Sequence, residues 1–263
     1  MAETALDSSV PVDEPPRALQ LRRIIDVMLR PRAVFTQLRA IDRAVWQTPI
    51  LLILALLVVR VLVTAPIKAA QAESGLTTPP PGFEFYTPEQ QAQLQQALEA
   101  TRGPVFQYVF PIGWALISGL LLWSITAGLL YLLSTLQGGR GSFTRALNLV
   151  AWASVPTIIH LIVQIVAVLS TNRLIASPGL AGFVPPPPDG TLLGRALLGR
   201  IDLYLFWEIA LLVIGLRLFT GLSRGKVWAS VLITIVLVMA LRILPDLLAA
   251  QLGGLTVIRP FLF

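Results

Sequence analysis

One hexapeptide, Gly221-Leu222-Ser223-Arg224-Gly225-Lys226, fits several catalytic patterns at once. Gly221 to Gly225 matches G-x-S-x-G, which in hydrolases holds a serine on a sharp strand-to-helix turn beside a histidine. Ser223 and Lys226 have the S-x-x-K spacing, and Gly221 to Lys226 falls one residue short of a phosphate-cradling Walker loop. Each match fails on context. The companion S-D-N and K-T-G elements are missing, and Val227 stands where a Walker loop needs Ser or Thr. The hexapeptide joins two long apolar runs, while His160, the one histidine, falls deep inside another run. The segment reads as a tight basic turn, and Gly138-Gly139-Arg140-Gly141 reads likewise. With no cysteine and a single histidine, thiolate and multi-histidine metal sites are excluded. No H-E-x-x-H or intramembrane aspartate pair is present, so neither catalysis nor a cofactor is expected.

The remaining residues able to do chemistry are polar groups in unusual company. Arg60, His160, Gln164, Glu208, Arg242 and Asp246 all lie within apolar stretches. Burying such groups in hydrocarbon is costly, so they are expected to face one another or a wet cavity.

Those stretches define the elements. Five runs, at about 49–67, 110–136, 146–170, 203–222 and 227–248, each approach or exceed the roughly 20 helical residues that cross about 30 Å of hydrocarbon. Charged residues make up only 13% of the chain, too few to cover a soluble core made of five such helices. The expected fold is all-α: a polytopic transmembrane bundle with five spans plus amino-terminal amphipathic helices.

At about 1.5 Å per residue, Arg60 lies about 17 Å along the first span, His160 about 21 Å along the third and Arg242 about 23 Å along the fifth. Glu208, entering from the opposite side, lies about 8 Å deep, so these groups share one half of the bilayer with Gln164 and Asp246. Arg242 and Asp246, four apart on one helix, are expected to pair, leaving Glu208 for Arg60 directly or through His160. In the second span, Ala115 with Gly119 and Ser124 with Gly128 place small residues four apart, a spacing that permits close helix contact.

Basic residues set the orientation. The tail, the 137–145 loop and the turn after the fourth span carry twelve, from Arg17 to Lys226, and the opposite side carries six. The amino terminus is therefore expected in the cytoplasm and Phe263 outside, in a multi-pass protein of the cell membrane. The net charge of +6 then needs no nucleic-acid partner.

Residues 1–16 are acidic, proline-containing and without apolar period, and are expected to be disordered. Residues 17–47 hold two amphipathic helices, one through Leu21, Ile24, Ile25 and Met28, the next starting at Pro31 with Val34, Phe35, Leu38, Ile41 and Val45. Their arginines, Arg22, Arg23, Arg30, Arg32, Arg39 and Arg43, suggest a helix pair lying in the interface against anionic headgroups, with a partner-binding or bundle-capping helix as the alternative. Thr87, Pro88 and Glu89 start a glutamine-rich outer helix through about Arg102. Proline runs at 79–81 and 185–188 mark the two outer segments; residues 48–250 form the membrane domain and 251–263 an outer tail.

The order of features resembles the Yip-one family of five-span membrane proteins. The likeness is carried by Leu29-Arg30-Pro31 with Phe35 and Leu38, by Trp46 and Pro49, and by Gly141 to Leu147 with Ala151 and Pro156. Trp207, Gly215, Leu216, Ser223, Lys226 and Ala229 extend it to about residues 28–250. Eukaryotic members are implicated in vesicle traffic through small Rab GTPases and carry a D-L-Y-G-P motif. Here Asp202-Leu203-Tyr204 continues as Leu205-Phe206. The resemblance therefore implies the prokaryotic branch, a fold and a membrane. A non-enzymatic, membrane-organising or partner-recruiting role follows, its partners the bilayer with its anionic headgroups and a membrane protein or second copy. The alternative is a small-solute or ion permease lined by the polar residues within the spans.

Overall fold

The computed structural model describes residues 19–76, 87–101, 103–184 and 192–252. The expected disorder of 1–16, both proline runs and the tail from 253 onward lie outside the described residues, as do Arg17, Arg102 and Arg259. Ten α-helices follow one another among the described residues: α1 Leu21–Leu29, α2 Pro31–Arg39, α3 Gln47–Leu76, α4 Pro88–Thr101, α5 Phe110–Leu136, α6 Phe143–Ala153, α7 Val155–Thr171, α8 Leu192–Leu198, α9 Leu203–Thr220 and α10 Arg224–Leu252. Five stretches are long and apolar enough to cross a membrane: Gln47–Gln71, Val105–Leu136, Phe143–Thr171, Leu203–Thr220 and Arg224–Pro245. The third is α6 and α7 together, interrupted at Ser154. Pro156 has no N–H to donate into the preceding turn, and the Ser154 hydroxyl bonds back to Val150 O at 2.9 Å.

Side-chain caps mark three helix starts. Asp202 accepts from Leu205 N at 2.8 Å, and Ser142 accepts from Arg145 N at 3.3 Å. Thr87 and Gln90 form a reciprocal capping box, with bonds of 3.3 and 2.9 Å. Gly221 closes α9 in the left-handed region at φ 69°, where a glycine is at no steric cost.

Burial runs opposite to that of a soluble bundle. Trp114, Leu132 and Val236 are exposed on α5 and α10, where lipid replaces water as the solvent. The tightest core lies instead at one end of the bundle, where Phe35, Leu38, Leu149, Trp152, Leu211 and Leu212 are completely or almost completely buried. Two of these belong to α2. Its apolar face, Val34, Phe35 and Leu38, packs on α9 and α6 rather than on acyl chains, so the interface expectation for this helix gives way to the capping alternative. Phe35 meets the Phe219 ring edge-on at 6.3 Å, and such an aromatic contact is better made inside the protein than at headgroups.

Gly215 makes this possible. A Cβ there would meet Leu149 Cδ1 at 2.2 Å and the Phe35 ring at 3.3 Å, so only glycine lets α2, α6 and α9 converge. The small residues expected to pack α5 divide. Gly119 sits under Leu57 and Leu54 of α3, with 3.1 and 3.5 Å available to a Cβ, whereas around Gly128 nothing lies within 4 Å. Ala115 and Ser124 are half-buried.

Candidate functional site: an intramembrane polar cluster and an amino-terminal cap

The polar residues of the spans gather where α3, α7, α9 and α10 come together, but their pairing differs from the expected one. His160 lies on α7, one helical turn before Gln164. Its Nδ1 is 3.0 Å from Asp202 Oδ2, and its Nε2 is 2.6 Å from Gln164 Nε2. These partners fit one tautomer, with Nδ1–H donating to the carboxylate and Nε2 accepting from the amide. The imidazole also stacks on the Tyr204 ring, with centroids 4.8 Å apart and an interplanar angle of 27°. Asp202 thus does two things: one oxygen caps α9 and the other holds His160.

Glu208 does not bond to Arg60. Its Oε1 is 3.2 Å from Ser154 Oγ, at the break between α6 and α7, and the charge closest to it in effect is that of Arg242. Arg242 carbonyl oxygen accepts from Arg200 at 3.5 Å. The Asp246 side chain lies outside the described residues, so its expected pairing with Arg242 does too. Arg60 lies in the field of Arg200, and Lys68 in that of Arg60. In place of the expected Arg60–Glu208 bridge, His160 contacts Asp202 and Gln164, and Glu208 contacts Ser154, while the charges of Asp202 and Arg242 reach across both sets. Helical depth is readable from residue number, but the direction in which each side chain leaves its helix depends on packing.

Arg60 and Gln164 also line a cavity of about 180 Å³ between α3 and α7, shared with Thr64 and Lys68 and walled by Ile165, Val168 and Pro178.

At the other end, α6 fastens the amino-terminal helices to the bundle. The fully buried Asn148 accepts from Val45 N and donates to Arg43 O, both at 2.9 Å. One turn on, Trp152 Nε1 donates to Val45 O at 3.0 Å, and Arg145 pairs with Asp42 at 2.6 Å. Residues 145, 148 and 152 share a helix face. Arg23 lies 5.7 Å over the Trp152 ring and bonds to Gln20; burial pushes its guanidinium below the ordinary arginine range, with Asp26 opposing the shift. Sequence reading passed over Asn148 and Trp152. The available signal was an asparagine inside an apolar run, with a tryptophan four residues later.

The remaining arginines of the cap, Arg22, Arg30, Arg32, Arg39 and Arg43, are exposed, as are Leu21, Ile25 and Leu29 on one stripe of α1. The basic hexapeptide has a structural use. Lys226 donates to Gln137 O at 2.8 Å and Gln137 to Ser230 at 2.7 Å, joining the two loops at that end. Ser223 follows the end of α9 opposite to Asp202, about 27 Å along the helix from the His160 contact.

An all-α bundle with five membrane-crossing stretches, a capped end and polar groups inside is a polytopic membrane protein. The chain belongs to the Yip1 family: the Yip1 domain matches residues 25–244, from within α1 to within α10. It is similar to a protein named Membrane protein YknW from Bacillus subtilis (strain 168), 28% identical over 121 residues, or 45% of this chain and 51% of that protein. The chain thus spans about half the length of the curated relative it matches. No solved structure matches it.

Proposed function

We propose that this Yip1-family protein catalyses no reaction and acts as a membrane-embedded platform, organising the bilayer or recruiting a partner through its amino-terminal cap. The observation that carries this is the cap itself. α2 and the 42–45 segment are fixed to the bundle by buried contacts, while five arginines and a leucine-isoleucine stripe point away from it. A rigidly held basic and apolar surface suits anionic headgroups, a membrane-protein partner or a second copy of the chain, and nucleic acid is not needed to explain it. The excess of basic residues on this side supports a cytoplasmic amino terminus and an outer carboxyl terminus.

The test is to isolate the full chain from native membranes in mild detergent beside a variant with Arg22, Arg30 and Arg32 changed to Glu. A stoichiometric companion or anionic lipid held by the native chain and lost from the variant is expected. Equal recovery with both sinks the platform reading. Cysteines introduced singly at Ser142 and Ser177 test the orientation: an impermeant reagent on intact cells should label only the latter.

A second reading, a small-solute or ion permease, is favoured by the polar groups and cavity inside the spans. Solute flux into liposomes holding the pure chain, abolished by His160→Phe, would replace the first reading with this one.

A further inference from the structure

The cavity between α3 and α7 has an unbalanced charge. Arg60, Thr64 and Lys68 follow one another at intervals of four on α3, and all three line it together with Gln164 of α7. Among the described residues, no carboxylate lines it. The contacts of Arg145 with Asp42 and of His160 with Asp202 involve neither Arg60 nor Lys68. Asp202 is engaged by His160 and the start of α9, and Glu208 by Ser154 and the field of Arg242. Two cations therefore share one recess with an amide donor, and Lys68 feels the charge of Arg60; the Thr64 hydroxyl is turned to Arg60 O at 2.8 Å.

Position matters as much as charge. Lys68 is near the end of the Gln47–Gln71 span, at headgroup level, and Arg60 lies about 12 Å deeper along the same helix. A long arginine side chain there extends toward the interface, so the two cations bracket the depth of a phosphate drawn slightly inward. The α7 side of the recess is apolar, with Ile165 and Val168, and Leu62 and Val166, neighbours in sequence of lining residues, are exposed where lipid is the solvent. A recess of about 180 Å³ has room for a phosphate group with bound water. Any chain attached to the phosphate would leave along that apolar surface.

We propose that this recess is a binding site for a phosphate-bearing anion, held by Arg60 and Lys68 with the second amide N–H of Gln164, the one not given to His160, donating to its oxygens. Arginine offers a planar fork to two oxygens and lysine a point charge at the rim. The phosphate belongs either to an anionic phospholipid of that leaflet or to a free anion. The site rests on the five-span membrane fold and on neither functional reading above.

The test uses the full chain in nonionic detergent, with phosphatidylglycerol, phosphatidylcholine and inorganic phosphate as separate probes. Native mass spectrometry counts retained lipid, and thermal melting reads the effect of phosphate. A lipid source predicts phosphatidylglycerol retained over phosphatidylcholine, about tenfold weaker in Arg60→Gln/Lys68→Gln and largely kept in Arg60→Lys. A free-anion source predicts that millimolar phosphate raises the melting temperature of the native chain and not of the double variant. Equal retention of phosphatidylglycerol by native chain and double variant, with no effect of phosphate on either, overturns the site. Should the double variant fail to fold, Lys68→Gln at the exposed rim decides the matter by the same two readings.

Discussion

His160 Nδ1 stands 3.0 Å from Asp202 Oδ2, so a residue in the third span is held by the residue that starts the fourth-span helix. The other Asp202 oxygen accepts from Leu205 N at 2.8 Å, which means that one carboxylate sets both the beginning of α9 and its approach to α7. Asp202→Ala removes both contacts. Loss of an N-cap alone costs about 0.5–2 kcal/mol, and the histidine bond adds to it. Combined with His160→Phe, which keeps a ring on Tyr204, the pair is expected to couple by about 0.5–3 kcal/mol in a double-mutant cycle read by thermal denaturation in detergent. Additive effects would mean that the two side chains do not meet.

Gly215 and Gly128 should respond in opposite ways to the same change. Gly215→Ala drives a Cβ to within 2.2 Å of Leu149 Cδ1, and overpacking of this kind costs about 1–3 kcal/mol. Trimming the obstacle with Leu149→Ala should recover part of the loss. At Gly128 a methyl meets nothing within 4 Å, so Gly128→Ala is expected to stay within about 0.5 kcal/mol of the native chain. Melting curves of the three variants side by side decide it.

Glu208 provides a third expectation. Its carboxylate is beside Ser154 and in the field of Arg242, and Arg60 belongs to a different set. Glu208→Gln should therefore couple to Arg242→Met and be additive with Arg60→Leu. A strong Glu208–Arg60 coupling, with none to Arg242, would restore the bridge suggested by helical depth alone.

These pairings mark where the sequence stops being legible. Hydrocarbon thickness imposes long apolar runs, so the spans and even the limits of α5, Phe110–Leu136, follow from residue types. Pro66 and Pro245 lie inside α3 and α10, which run on to Leu76 and Leu252, since a proline in a membrane helix does not by itself end it. Position along each helix was likewise readable from residue number. Azimuth was not. The choice of Asp202 over Glu208 as the partner of His160 depends on how α7 and α9 pack. The amphipathic pattern of α2 fits a membrane surface and a bundle cap equally well. It took the buried Asn148 and Trp152, which hold the 43–45 backbone, to separate the two.

The cap finally predicts a division of labour between its two helices. Phe35 is fully buried, so Phe35→Ala should cost about 3–5 kcal/mol, as for other large core residues. Leu21, Ile25 and Leu29 of α1 are 54%, 58% and 74% exposed, and changing all three to Ser should alter the stability of each site by no more than about 0.5 kcal/mol. What that triple change should abolish is contact with lipid. A fluorophore on a cysteine at position 22, beside Leu21 in the otherwise cysteine-free chain, in vesicles containing brominated anionic lipid, should be quenched, and less so in the triple variant. Salt should weaken quenching, because each arginine near an anionic surface contributes about 1 kcal/mol that screening removes. Absence of quenching in both low and high salt would leave the stripe for a protein partner.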